Sequence, residues 1–289
     1  GSCFTVPKMQ GTPTYRIPLA TAMALLAVIL ATAGCSGDGD SATSTADSTQ
    51  RPASSTTSQA PTTKGIVIMV SNDDGVDAPG IDSLVEALDQ RSDVAEVVVV
   101  APAENQSGAG DKTTTGATAA DAATRSGRKA VAVAGTPADS VAHGLDVVMA
   151  GNPPDLVMAG VNAGQNLGPV LSLSGTVGAA RTAARRGIPA VAISQGLTTS
   201  DGELDYRPGT AAAMAWLDEH IGSLAPGTVA NINAPTCGKG SIRGTVTEPS
   251  ATEGNALVAG VDCTSTATGV DDVSAFNAGF VVVSDAGLG

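Results

Sequence analysis

Apolar and polar positions alternate on two scales along this chain. Near-continuous apolar runs of five to eight residues, "GIVIMVS", "AEVVVVAP", "RKAVAVAG", "PDLVMAGV", "IPAVAIS" and "TVANINAP", each break into a short polar loop. Between them lie stretches with apolar residues at helical spacing, such as Ile81, Leu84, Val85 and Leu88 in "APGIDSLVEALDQ". Runs without internal alternation are the mark of strands buried on both faces, and the intervening 3.6-residue period predicts covering helices. The pattern therefore predicts an α/β fold, a mainly parallel sheet in a three-layer αβα Rossmann-like domain. "ADSVAHGLDVVM", "SGTVGAARTAARRG" and "TAAAMAWLDEHIG" read as further helices. After Thr236 the text turns Gly- and Thr-rich, with short runs such as "SIRGTVTEP" and a closing "AGFVVVSDAG". It reads as a C-terminal extended or β arm, suited to packing on a partner subunit. "AGDKTTTGATAADAATRSGRK", rich in Gly, Ala and Thr, reads as a mobile loop.

In an open parallel sheet, binding loops gather beyond the carboxyl ends of the strands. The polar clusters of this chain fall there: Asp73 and Asp74 after the first strand, Asn105, Gln106 and Ser107 after the second, Asn162 and Asn166 after a later one. Adjacent acids repel unless something positive lies between them. Two carboxylates, a hydroxyl and an amide oxygen suit a hard divalent cation, and Asp73, Asp74, Ser107 and Asn162 supply that set. A softer metal finds no Cys/His cluster, the only histidines being His143 and His220. His143 falls in an expected helix, in a structural role. Taken singly, each piece has a plainer reading. Asp-Asp-Gly after a strand is commonly a turn or a cap, and "NAGQNLG" a glycine-rich turn. Their ordered appearance on one sheet rim gives them weight.

Composition adds limits. The 289 residues carry a net charge of -13, and the aromatic share is 2%. A nucleic-acid polymer as partner is not expected, because phosphate-backbone contacts need clustered Lys and Arg. Small nucleotides stay open as ligands, since a metal can bring the positive charge. With so few aromatics the core must be built from Ala, Val, Leu and Ile.

The leading residues have another character. Lys8 and Arg16 precede an apolar stretch, Ile17 to Gly34, ending in Ala33-Gly34-Cys35. That pattern resembles a bacterial lipoprotein signal, with a lipid anchor at Cys35 and a location outside the cytoplasm at the cell membrane. An uncleaved anchor and a plain secretory peptide are the alternatives. "SGDGDSATSTADSTQRPASSTTSQAPTTK" has almost no large apolar residue and reads as a disordered tether. The expected organisation is a signal segment at 1–35, a tether at 36–64 and one folded domain at 65–289. In an exported domain Cys237 and Cys263 are expected to pair.

"VSNDDGVDAPGI", "VVAPAENQSG", "GTPADSV", "DLVMAGVNAGQNLG" and "SGTVGAA" followed by "GIPAVAIS" together resemble the ordered motifs of the survival-protein E (SurE) family of nucleotidases. "NINAP" and "DVSAFNAGFVVVS" match more loosely. The resemblance implies a divalent-metal-dependent phosphatase, using Mg2+ or Mn2+, that hydrolyses nucleoside 5′- and 3′-monophosphates and works as a homodimer or homotetramer. It implies Asp73, Asp74, Ser107 and Asn162 as metal ligands and Asn166, Ser174 and Thr176 on the phosphate side. Backbone N–H groups near Gly175 join them if a helix starts there. Asp73, Asp74 and Asn162 are the catalytic candidates, and water activated by the metal is preferred over direct attack by a carboxylate. A phospho-ligand binder without turnover, and a phosphatase for polyphosphate or a sugar phosphate, are the competing readings.

Overall fold

The computed structural model describes residues 65–197, 203–254 and 260–289, within one compact unit spanning Gln59–Gly289. The expected signal segment and tether, with Cys35, lie outside the described residues. Among the described residues no helix is long and apolar enough to cross a membrane.

Among the described residues nine strands form one sheet in the order β3-β4-β2-β1-β5-β6-β7-β9-β8. The central strands β1 (Ile66–Ser71), β2 (Val94–Pro102), β4 (Lys129–Ala134), β5 (Leu156–Ala163), β6 (Ala190–Gln195) and β7 (Val229–Ala234) are mutually parallel. Alternate residues face opposite layers. Ile68, Val70, Leu156, Met158, Val191 and Ile193 pack under α1 (Pro79–Asp89) and α4 (Arg207–His220). Met69, Val157, Ala159, Ala190 and Ala192 pack under α2 (Pro137–His143) and α3 (Gly175–Ala184). The three-layer expectation holds. The α3 layer is built from alanines, Ala179, Ala180 and Ala183 against Ala159 and Ala192. Small side chains on both surfaces let that helix approach the sheet closely, which matters for the site at its N-terminus.

Local chemistry sets the element ends. Pro79 occupies the first turn of α1, where its missing N–H costs nothing. Thr136 and Asp139 form a reciprocal capping box on α2. His143 ends that helix and continues into a π-helical turn, Gly144–Val148, as a structural residue.

One expectation is corrected in detail, and the expected β arm of the tail takes a definite place. The Gly/Ala/Thr-rich segment is not wholly a loop. Its residues Thr118–Ala123 form β3, an edge strand antiparallel to β4. Five of its six side chains are exposed, so no hydrophobic pattern announced it. In the tail, β9 (Val281–Asp285) runs antiparallel beside β7, and β8 (Thr245–Thr247) lies parallel to β9, extending the sheet of the same chain. A short helix not expected from the sequence, α5 (Asp272–Asn277), precedes β9 and is capped by Asp271. Phe276 and Ala275 of α5 pack with Leu167 and Val282 in a small third cluster. The expected Cys237–Cys263 disulfide is formed, with Cα atoms 5.7 Å apart.

Candidate active site

Strand order fixes where a site can form. From β1 the chain moves outward to β2, then returns across the sheet so that β5 lies on the other side of β1. The loops leaving β1 and β5 therefore diverge, and a crevice opens between them at the strands' carboxyl ends. The β1 loop carries Asp73 and Asp74, and β5 ends in Asn162 and Ala163.

The β1 loop is held by its own amide. Asn72 donates to the Gly75 carbonyl (2.7 Å) and accepts from the Gly75 N–H (3.3 Å). Gly75 has φ +109°, a conformation that favours glycine. The β2 loop is tied to it in turn. Gln106 N–H donates to the Asp73 carbonyl (2.7 Å), and the Asn105 amide donates to Asp74 Oδ1 (3.2 Å) while accepting from Ser107 N–H (3.0 Å). Ser107 is thus delivered beside the acids.

The four expected metal ligands do not play equal parts. Asp73, Ser107 and Asn162 line one cleft of about 300 Å3, together with Asn166 and Ser174. Asp74 faces the adjoining groove, beside Tyr206, Asn105 and Arg125, and accepts from Ala163 N–H at 3.0 Å. The Asn162 amide donates its N–H to the Gly164 carbonyl (2.6 Å), which leaves its oxygen for the cleft.

On the phosphate side, Ser174 caps α3 by accepting from Val177 N–H (3.0 Å). Gly175 follows because nothing larger fits. A Cβ there would stand 2.7 Å from the Asp73 Cβ. This close approach brings the helix N-terminus, with its unsatisfied N–H groups, against the acid loop. Thr176 is fully buried and does not line the cleft. Its hydroxyl donates to Asp73 Oδ1 (2.6 Å) and lies 3.4 Å from the Asn166 amide nitrogen. Of the expected phosphate-side residues, Asn166 and Ser174 reach the cleft, whereas Thr176 holds Asp73.

Burial pushes the Asp73 carboxyl up to about 6; the Thr176 hydroxyl pulls it down and the neighbouring Asp74 raises it further. Asp74 is also raised, again chiefly by burial. Neither acid forms a salt bridge among the described residues, and no Lys or Arg lines the cleft. Two partly dehydrated neighbouring carboxylates without a cationic partner are costly. The donor set is all oxygen: carboxylates, a hydroxyl and an amide. It fits a hard divalent cation and offers nothing to a soft one.

Several supporting residues were not legible as site residues. Asn233 of β7 accepts from the Asn166 N–H (2.7 Å), and the amides of Asn231 and Asn233 both donate to the Asn166 carbonyl (2.9 and 3.0 Å). Ser194 of β6 accepts from the Asn166 side chain (3.0 Å). Asp272 of α5 accepts from Gly168 N–H (2.9 Å) and Ala251 N–H (2.8 Å), tying the tail to the β5 loop. The available signal was "NIN": two amides facing one way in a central strand are expensive unless they hold something.

A doubly wound α/β domain with paired acids and a helix N-terminus at its topological switch point is thereby defined. The family model described as Survival protein SurE matches residues 68–255, and the chain belongs to that family. Among curated relatives it is 50% identical over 128 residues to the 5′-nucleotidase SurE of Halobacterium salinarum, covering 44% of this chain and 46% of that protein. It is 41% identical over 180 residues to the 5′/3′-nucleotidase SurE of Edwardsiella ictaluri, covering 61% and 66%. The chain thus matches about half the length of the first of these and about two thirds of the second. The SurE protein from Aquifex aeolicus has a similar structure, with a TM-score of 0.61 and 27% identity, covering 77% of this chain and 94% of that one.

Proposed function

We propose that this chain is a phosphatase for nucleoside monophosphates, acting on 5′- and also 3′-esters and dependent on a divalent cation, Mg2+ or Mn2+. One observation carries the proposal. A cleft of about 300 Å3 at a helix N-terminus has the Asp73 carboxylate in its wall, with Asp74 next to it facing the adjoining groove, and no Lys or Arg lines it. A phosphate dianion cannot settle beside Asp73 and Asp74 unless a cation comes with it. The names of the relatives, 5′-nucleotidase and 5′/3′-nucleotidase, agree with this reading.

Asp73, Asp74, Ser107 and Asn162 would hold the cation. Once bound, it offsets the charge of the phosphoryl oxygens and lowers the pKa of water. The protein's own part is placement. Asn166 and Ser174 and the N–H groups opening α3 orient the remaining phosphate oxygens, at the positive end of the helix dipole. Asn231, Asn233 and Ser194 lock Asn166, so little reorganisation is left for the reaction. Thr176 fixes the Asp73 rotamer. A carboxylate at Asp73 or Asp74 accepts the proton of the attacking water.

Assembly as a homodimer or homotetramer, export, and a lipid anchor at Cys35 belong to the same proposal. They rest on sequence pattern alone, and mass spectrometry of the mature N-terminus tests the anchor. The activity is tested by phosphate release from AMP and GMP across a panel of metals. Turnover with Mg2+ or Mn2+ that stops on chelation is expected. Metal-replete protein that releases no phosphate from any nucleoside monophosphate overturns the proposal.

A further inference from the structure

We infer that Leu173 and Leu197 form an aliphatic platform for the nucleobase on the outer wall of the cleft, so that the site selects a flat apolar group without selecting which base. The inference rests on the nucleotidase reading for its phosphate end and adds the other end. The lining of the cleft is polarised. Asp73, Asn162, Asn166 and Ser174 are buried within it, while Val170, Leu173 and Leu197 supply its apolar wall.

Both leucines are unusual in their exposure, 61% for Leu173 and 57% for Leu197. Among the described residues four large apolar side chains are more than half exposed, and two of them, from separate parts of the chain, line this one cleft. An apolar side chain left in water beside a binding cleft gains by being covered. Neither is placed loosely. Leu173 donates its N–H to the Val170 carbonyl (2.9 Å) and accepts from Gly110 N–H (3.1 Å), one residue before the α3 cap. Leu197 donates its N–H to Gln165 Oε1 (3.3 Å), and its Cγ lies 3.6 Å from where a Cβ on Gly164 would stand. The backbone of both leucines is held in this way, and their branched side chains present an apolar surface to the cleft.

The ligand class follows from the two ends. A polyphosphate or a simple sugar phosphate has nothing to cover the leucines, whereas a nucleoside monophosphate has an anionic end and a flat apolar end. No aromatic ring and no cationic side chain lines the cleft among the described residues. Gln165, which already accepts from Leu197, is the one long amide on that wall. Rejection of a wrong base needs buried polar groups left unpaired by it. Here such groups are scarce, so AMP, GMP, CMP and UMP should differ by less than about tenfold in kcat/KM.

The test compares AMP with ribose 5-phosphate on the full chain with Mg2+. Affinity is read by titration calorimetry, or as KM where an ester is turned over. The wild type should bind AMP about tenfold tighter than ribose 5-phosphate. The double variant Leu173→Ala/Leu197→Ala should lose that preference through AMP alone, leaving ribose 5-phosphate within twofold. Val147→Ala, an exposed valine away from the cleft, should change neither. Equal affinity of the wild type for the two esters, or an equal loss on both in the double variant, overturns the inference. Selective AMP binding that depends on the leucines but proceeds without turnover would sustain the platform and remove the phosphatase reading instead.

Discussion

Asp73 and Asp82 are both buried acids following β1, yet the protein treats them in opposite ways. Asp82, on α1, accepts from the Thr124 hydroxyl (2.7 Å), the Ser126 hydroxyl (2.6 Å) and the Ser126 N–H (3.1 Å). Burial alone would raise its pKa, but hydrogen bonds from Ser126 and Thr124 outweigh it and hold the carboxyl below its ordinary value. Its work is structural: it pins the turn between β3 and β4 to the first helix. Asp73 accepts one side-chain hydrogen bond, stands next to a second acid, and is pushed up to about 6. An acid whose surroundings stabilise its charge is finished. One whose surroundings do not is waiting for something positive.

The largest effect should come from removing the charge at Asp73. Asp73→Asn keeps the side-chain shape and an oxygen for the Thr176 hydroxyl, but it abolishes the anion. Phosphate release from AMP should fall by roughly 10^2–10^3-fold. The metal-free variant should at the same time be more stable than wild type at neutral pH, by up to about 3 kcal/mol. Lost activity joined to gained stability in urea unfolding separates a functional acid from a structural one. Near-normal turnover would sink the assignment.

The pH dependence sharpens the same contrast. The folded pKa of Asp73, about 6, lies above its ordinary 3.8, so the folded state holds this proton more tightly than the unfolded chain. The favourable contribution is therefore fully present below about pH 4 and is lost as pH rises through 6. Metal-free wild type should lose stability relative to Asp73→Asn across that window, and saturating Mg2+ should restore it. Asp82 has the reverse sign, since its depressed pKa contributes stability that is lost in acid. Asp82→Ala leaves the Thr124 and Ser126 donors without their acceptor and should cost about 1–3 kcal/mol at pH 7. Turnover per folded molecule should be unchanged in that variant, as measured by kinetics on a titrated active fraction.

The same contrast explains what could be read in the sequence. β1, β2, β5 and β6 were legible because strands buried on both faces write continuous apolar runs, and their loops then place Asp73, Asp74, Ser107 and Asn162 on one rim. β3 was not legible, because an exposed edge strand such as Thr118–Ala123 needs no apolar residue to pair. α5 was hidden by length, six residues being too few for a helical period to show. Which way a carboxylate faces was also out of reach. Asp74 turns toward Asn105 and Ala163 and Thr176 turns inward onto Asp73, and both depend on contacts between loops far apart in the chain. Asn231 and Asn233 were visible as letters, but their partner, the backbone of Asn166, appears only when β7 is placed in the sheet.

Ser174 belongs to both sides of the comparison and gives the smallest effect. Its hydroxyl accepts from Val177 N–H, a structural cap, yet the residue also lines the cleft where phosphate is expected. Ser174→Ala removes both roles and should cost about 1 kcal/mol of stability with a modest loss of activity. That result alone would not tell one role from the other. Ser174→Asp does, because aspartate caps a helix as well as serine while placing a negative charge where the phosphate oxygens must lie. If the residue only caps, the aspartate variant recovers both stability and turnover. If it also faces phosphate, stability returns while KM for AMP rises above that of Ser174→Ala, and the rise shrinks at high salt, as repulsion between partly solvated charges requires.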